Sequence, residues 1–489
     1  MNFNSVSYMI FLPVIRAGWF MIPAKFRNLY LLAVSYWFYF CNEVRFFLLL
    51  PALTAITYAA GVTMEKAINR KAVFLAALGA NLGTLIFFKY NRFFLNGISA
   101  VTGATFDLTK WLLPMGISFY VFMAVSYLAD VYTGKYPAEK SIVKFAAYIS
   151  FFPHILMGPI DRRDKFIPQL DNDHKFDYNR IRTACQLMAI GFFKKIAVAD
   201  ILAKMIDRVH SNLTDYTGLM LIFIAVMYSF QLYADFSGYS DIARGSAMVL
   251  GFDIKDNFRT PYMATSIKDF WRRWHISLSD WFTSYIYFPL GGSRVSRGRH
   301  LANLFIVFFV SGIWHGNTWN YVIWGALHGV YRVANQLINS AFPPAEKNSP
   351  VKNGAKRLGV FVLVTFSWIF FRAKDLPSAW YYISHMFVDL SPATFFNGLY
   401  NAVKTGFDAT PLLIYAYIAF NIVSVTVLLI LDCIRCFGLK DACLTTVFDK
   451  MKPWQRWLCY YGLIALIMAG FIMNNGGYGA SASFIYNNY

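Results

Sequence analysis

The sequence predicts an all-α polytopic membrane protein, and three observations predict it. Of its 489 residues 57% are hydrophobic and only 15% are charged, where a soluble globular chain carries about 25% charged residues. Apolar runs recur from end to end, among them FFLLLPALTAITYAAGV, FLAALGANLGTLIFF, LMLIFIAVMYSF and PLLIYAYIAFNIVSVTVLLIL. A bilayer core takes about 20 apolar residues per helix, so these runs read as spans. Basic breaks at Lys25, Arg27 and the loop 65–71 separate the first of them and mark the cytoplasmic side.

Taken in order, spans fill the chain to about residue 90, and another covers 111–132 with Pro114 and Gly116 near its start. In FAAYISFFPHILMGPIDRRDKF, Pro153, Gly158 and Pro159 interrupt an apolar run. Such a break is tolerated at membrane depth only where protein or a water-filled cavity covers it, so this is a short re-entrant helix. Its His154 is either structural or lines a site. A polar loop, 161–182, precedes a span over 183–202 that carries Lys194, Lys195 and Asp200. The span from 219 to 233 ends in YADFSGYSDIARG, where Asp241 and Arg244 stand three apart and can pair on a helix. Asp235 has no local partner; it either joins a buried ion-pair knot or shapes a cavity. Further spans follow at 319–339, with Trp324 and His328, and at 358–371, 412–431 and 457–473; the chain closes on NNGGYGASASFIYNNY. The count is about eleven spans plus re-entrant and amphipathic pieces in one integral-membrane domain, 1–489.

Lys and Arg exceed Asp and Glu by 45 to 26, a net charge of +19. Nucleic-acid binding would need a soluble domain that the chain lacks; basic cytoplasmic loops facing anionic lipid account for the excess. The six cysteines are scattered. Cys433 and Cys436 have C-x-x-C spacing but end an apolar run without a nearby histidine, so packing thiols are expected rather than zinc or redox chemistry. No metal is expected. The apolar start contains Arg16 and leads directly into further spans, which argues against a cleavable signal peptide.

The polar chemistry gathers in 259–316. Between 268 and 282, Trp271, Trp274, His275, Leu278, Trp281 and Phe282 fall on one helical face, with Lys268, Asp269, Arg272, Arg273 and Asp280 mainly on the other. This spacing predicts one amphipathic helix with His275 turned inward and Asp269 paired to Arg272 or Arg273. Pro289, Gly291 and Gly292 then break the chain, and Arg294, Arg297, Arg299 and His300 form a basic loop that sets topology or meets an anionic substrate. Residues 301–313 are almost wholly apolar and deliver Trp314-His315-Gly316. An ionisable group at such a place is a functional candidate by default. A buried imidazole is uncharged there, the form that takes a proton from a hydroxyl; a satisfied structural role stays open beside it. The chain has no G-x-S-x-G, H-E-x-x-H, Walker or dinucleotide motif, which leaves acid–base chemistry by histidine.

RTPYMATSIKDFWRRWHISLSDWFTSYIYFPLGGSR followed by SGIWHG resembles the bacterial branch of the membrane-bound O-acyltransferases, in its alginate-acetylating group. The likeness extends to QLYADFSGYSDIARG, LPMGISFYVFMAVSYLADVY, FFPHILMGPI and GFFKKIAVAD, up to about residue 372, with a motif-bearing core over about 110–340. The resemblance implies an arched helix bundle around a central tunnel, in which His315 is the essential histidine and His275 the second polar residue at the tunnel. Trp271, Trp274, Trp314, Asp235, His154 and Arg294 are tunnel- or substrate-lining candidates. It implies an inner-membrane enzyme with no bound cofactor, which takes an acetyl group from a cytoplasmic thioester such as acetyl-CoA. The group is handed to an extracytoplasmic SGNH-type partner that acetylates an exopolysaccharide. The tail FIYNNY departs from the related FIYF-like ending; its Tyr486 is either an acyl relay or an interfacial anchor. D-alanyl transfer to teichoic acid, peptidoglycan acylation, and a polyanion transporter without covalent transfer remain as alternatives.

Overall fold

The computed structural model describes residues 1, 3–103, 113–342, 349–407, 410–439 and 443–475. Tyr486 and the rest of the closing tail lie outside the described residues. Among the described residues the chain is helical throughout, without a strand. In order the helices are α1 (Val6–Met21), α2 (Arg27–Asn42), α3 (Leu49–Lys66), α4 (Arg70–Thr102), α5 (Ile117–Tyr132), α6 (Ile142–Ser150), α7 (Phe152–Ile155) and α8 (Arg163–Phe166). There follow α9 (Tyr178–Phe192), α10 (Asp200–Ser211), α11 (Gly218–Leu250), α12 (Ile267–Arg273), α13 (Ile276–Phe282), α14 (Arg297–His315) and α15 (Trp319–Ala341). The chain then continues through α16 (Pro350–Arg372), α17 (Leu376–His385), α18 (Pro392–Phe407), α19 (Pro411–Cys433), α20 (Thr445–Lys450) and α21 (Pro453–Asn475). Among the described residues, five stretches are long and apolar enough to cross a bilayer: Arg70–Asn91, Gly218–Leu250, Pro350–Arg372, Pro411–Gly438 and Pro453–Asn474. Two shorter apolar helices, α1 and α5, accompany them. The expected count of about eleven takes in shorter apolar runs as well, which these five stretches do not test.

The chain divides into two compact units. The first comprises Met1–Met188 and Ile242–Asp256. Helix α1 begins where Ser5 accepts the Tyr8 N–H at 3.2 Å, and Tyr8 Oη donates to Ser246 Oγ at 2.6 Å. The first caps the helix, and the second ties it to the last turns of α11. The break at 151–153 is real: α6 ends at Ser150 and α7 is a single turn, with residues 151–161 all buried by protein. Gly116, at φ 72°, lets the chain pass so close that a Cβ there would meet Ile155 O at 2.3 Å. That backbone approach needs glycine twice over.

The second unit comprises Ala189–Asp241 and Asn257–Tyr489. Between α9 and α10 the helix widens into a π-helical stretch, Phe193–Ala199, every residue of which is buried. Two successive lysines sit on it. Lys194 Nζ donates to Asp241 at 2.7 Å, and Lys195 Nζ bridges Asp235 at 2.6 Å and Asp200 at 2.8 Å. Glycine makes the approach possible: a Cβ on Gly238 would lie 2.8 Å from Gly191 O. Gly470 plays the same part from α21, where a Cβ would lie 2.9 Å from Ile196 O. In apolar surroundings small residues of this kind let helix backbones touch. The end of α21 is held by Lys204, whose Nζ donates to the Met473 and Asn474 carbonyls at 2.8 and 3.2 Å. These are terminal carbonyls that the helix cannot satisfy itself.

Lys195 is 1% exposed, so removing its charge strands two carboxylates in the interior. Lys195→Met is expected to cost about 3–5 kcal/mol of stability. A thermal melt of the detergent-solubilised protein checks this; a melting temperature equal to wild type would show that the pairs contribute nothing.

Candidate active site

Residues 268–282 keep the expected sidedness, with Lys268, Arg272 and Asp280 exposed and Trp271, Trp274, Leu278, Trp281 and Phe282 buried. They are not one helix. The chain breaks between α12 and α13 at His275, which takes a left-handed conformation, φ 43° and ψ 55°. A non-glycine residue there is strained and persists only where surrounding bonds hold it. Asn257 supplies them: its carbonyl O accepts the Ile276 N–H at 3.0 Å, and its Oδ1 accepts from Ser277 N at 3.1 Å and Ser277 Oγ at 2.9 Å. Oδ1 also lies 3.3 Å from His275 Nδ1. The Phe236 ring stands edge-on to the imidazole, centroids 4.7 Å apart. Burial pulls the His275 pKa down to about 3, so the ring is neutral. Of Asp269's two possible partners the structure selects Arg273, Nε to Oδ1 at 2.9 Å.

His315 is the last residue of α14, 4% exposed. Glycines place it. A Cβ on Gly312 would meet Tyr321 O at 2.4 Å and Gly325 Cα at 2.8 Å, and one on Gly325 would meet Phe308 O at 2.6 Å. Helices α14 and α15 therefore run backbone against backbone. Their approach brings the His315 ring edge-on to Trp324 at 4.8 Å, with Trp314 at 4.7 Å and Phe371 at 5.3 Å. The turn before α14 is held by Asn303, whose Nδ2 donates to Leu290 O and Gly292 O, both at 3.1 Å. Gly291 and Gly292 there have φ of 100° and 59°, values that favour glycine.

His328, fully buried on α15, is saturated instead. Its Nδ1 accepts from Trp271 Nε1 at 3.3 Å. Its Nε2 is 2.8 Å from Ser367 Oγ, which itself donates to Val364 O at 2.7 Å. The Ser367 proton is thus committed, so His328 carries its proton on Nε2 and both ring nitrogens are used.

A cavity of about 610 Å³ opens beside these elements. Its wall includes Trp271, Arg272, Ile276, Ser311 and Arg332. Ser311 stands one helical turn before His315 on the same face of α14, and Ile276 adjoins His275. Arg332 Nη1 is buried without a hydrogen-bond partner among the described residues, a cationic group suited to a bound anion.

The other sequence candidates fall elsewhere. Trp274 stacks on Phe270 at 5.6 Å and packs against Trp368 at 5.1 Å within the core. Asp235 lies in the Lys195 ion pair. Asp241 is bound by Lys194, and Arg244 Nη1 donates to Asp256 at 3.0 Å. His154 belongs to the first unit, its Nε2 2.9 Å from Tyr148 O and its Nδ1 3.6 Å from Asp161. Arg294 is exposed, beside the cavity-lining Ser293. The six cysteines are free thiols. Sequence reasoning passed over Asn257, Arg332 and the glycine pair on α14 and α15. For Asn257 no spacing signal existed; for the glycines, the matched positions in GIWHG and WGALHG were one.

A polytopic helical chain with two buried histidines, His275 and His315, each adjoining or one turn from a residue that lines a cavity carrying Lys268, Arg272 and Arg332, has a make-up that a membrane acyltransferase can use. The model of the MBOAT, membrane-bound O-acyltransferase, family matches residues 135–372. The chain belongs to this family and is a multi-pass O-acyltransferase. It is similar to the probable alginate O-acetylase AlgI of Pseudomonas aeruginosa, 36% identical over 392 residues that cover 78% of this chain and 74% of the relative. The probable alginate O-acetylase AlgI of Pseudomonas putida is 37% identical over 388 residues, 77% of this chain and 78% of the relative. The peptidoglycan O-acetyltransferase of Helicobacter pylori is 32% identical over 404 residues, 76% of each.

Gly316 extends the placement of His315: a Cβ there would lie 2.1 Å from the Tyr321 ring. Gly316→Val is expected to displace the ring or the histidine, cutting turnover about tenfold or more while the protein still inserts and melts cooperatively. Activity and melting temperature measured on one preparation check it; wild-type turnover would show that the His315 position tolerates the shift.

Proposed function

We propose that the chain takes an acetyl group from a cytoplasmic thioester of the acetyl-CoA class and serves O-acetylation of an extracytoplasmic polysaccharide of the alginate kind. It works in the inner membrane, and His315 is the general base. The observation that carries this is the single face of α14 that places Ser311 on the cavity wall and His315 one turn beyond it. Support for the acyl group and acceptor comes from the relatives named probable alginate O-acetylase, which align over 77–78% of this chain. The teichoic acid D-alanyltransferase of Streptococcus thermophilus is 29% identical over 53% of it.

The donor's anionic portion is held by Lys268, Arg272 and Arg332 on the cavity wall. Ser293 and, from the first turn of α14, His300 also line the cavity; the Lys and Arg bias of this stretch supports a cytoplasmic side for it. The His315 imidazole takes the proton of an acceptor hydroxyl as its oxygen attacks the thioester carbonyl. The tetrahedral intermediate collapses, the C–S bond breaks, and the departing thiolate recovers the proton from the imidazolium. The acetylated acceptor then serves a partner of the SGNH type on the far side, which completes transfer to the polymer.

General-base catalysis contributes about 10²–10⁴-fold, so His315→Ala is expected to lose at least that much acetyl transfer with its melting temperature kept. The assay is acetyl transfer from labelled acetyl-CoA by purified protein, and an active alanine variant sinks the assignment. Arg332→Gln is expected to raise the donor KM about tenfold while leaving kcat near wild type. An unchanged donor KM would remove Arg332 from the donor site.

A further inference from the structure

We propose that Asn257 is a positioning residue which fixes the tautomer of His275, so that Nε2 of this ring is presented as a hydrogen-bond acceptor. The proposal deepens the acyl-transfer reading and rests on it for its catalytic meaning.

The argument is an accounting of protons. Asn and Gln side chains leave their O and N ends ambiguous until a neighbour decides. Here a backbone decides: the Ser277 N–H can only donate, and it points at Asn257 Oδ1 from 3.1 Å. The other end, Nδ2, faces Ser240 Oγ at 3.4 Å. With the orientation settled, Oδ1 is an acceptor at every contact it makes, including the one to His275 Nδ1 at 3.3 Å. An acceptor opposite Nδ1 requires the ring proton to sit on Nδ1. A neutral imidazole has one such proton, so Nε2 carries the lone pair. That nitrogen is buried and has no hydrogen-bond partner among the described residues. A lone pair left unused in the interior is costly unless it serves a task.

The contrast with His328 sharpens the point. There both nitrogens are taken, one by the Trp271 N–H and one by Ser367. At His275 the protein spends its polar contacts on one nitrogen only, and holds the backbone in a left-handed conformation to do so. An unprotonated Nε2 excludes donation to an oxyanion from the resting ring. It suits acceptance of a hydrogen bond from the acceptor hydroxyl, which orients that group before the His315 base takes its proton. His275 thus differs in kind from an oxyanion donor.

The tautomer is read by ¹⁵N solid-state NMR of histidine-labelled full-length protein in lipid, with His275 assigned by difference against His275→Gln. A protonated Nδ1 and an unprotonated Nε2 are expected. A proton on Nε2 overturns the proposal whether or not the transfer reaction is the one proposed. The kinetic arm uses acetyl-CoA as donor. Asn257→Leu, which removes the acceptor, is expected to lower kcat about tenfold or more with the donor KM within about twofold. Asn257→Asp keeps the Ser277 contacts and adds a charge beside Nδ1, which raises the imidazole pKa; the acidic limb of its pH–rate profile is expected to move to higher pH. If the leucine variant fails to fold, the aspartate variant and the wild-type spectrum decide. Wild-type kcat in the leucine variant, or an unmoved acidic limb in the aspartate variant, overturns the role. A chain with the expected tautomer but no transfer from acetyl-CoA would instead sink the proposed acetyl-transfer reading and leave the tautomer standing.

Discussion

A polar atom buried among apolar helices must find its partner inside the protein, because no water is there to supply one. That constraint organises the second unit. Lys194 and Lys195 enter the interior only because a π-helical stretch and the absent side chain of Gly238 bring three carboxylates to them. Arg435, buried in the π-helical stretch Ile434–Gly438 that follows α19, donates to Phe258 O at 2.9 Å. It thereby steadies the segment next to Asn257. The buried charges thus do more than cancel one another: Arg435 also holds the backbone one residue from Asn257, the partner of His275.

Against that background the two candidate rings are set by different means. His275 is placed by hydrogen bonds from one asparagine and pays with a strained backbone. His315 is placed by close helix packing, its ring ending among the edges of Trp314, Trp324 and Phe371. The first arrangement fixes a proton, the second a position. Acyl transfer needs both, since a base acts only in the right protonation state and within reach of the hydroxyl it serves.

One failure of sequence reasoning and one question it left open have the same origin. Residues 268–282 have a helical period, and the period is real, yet the chain breaks at His275 because Asn257, eighteen positions upstream, outbids the local helix for the backbone N–H groups of Ile276 and Ser277. Asp235 has no local partner, and of its two expected roles the structure selects the buried ion-pair knot, made with Lys195 forty positions away. Local spacing carries no information about a bond formed across such distances.

The sequence by itself determined the solvent this chain lives in, the helical class, the family and the histidines worth asking about. Those follow from composition, from runs of apolar residues and from motifs, all of which are properties of neighbouring positions. Tertiary structure alone decided which histidine is satisfied and which is left with a free nitrogen, which aspartates are bound, and where a cationic cavity opens beside α14. Those depend on glycines that let distant backbones touch and on protons shared between residues far apart in the chain, and such pairings exist only once the helices have packed.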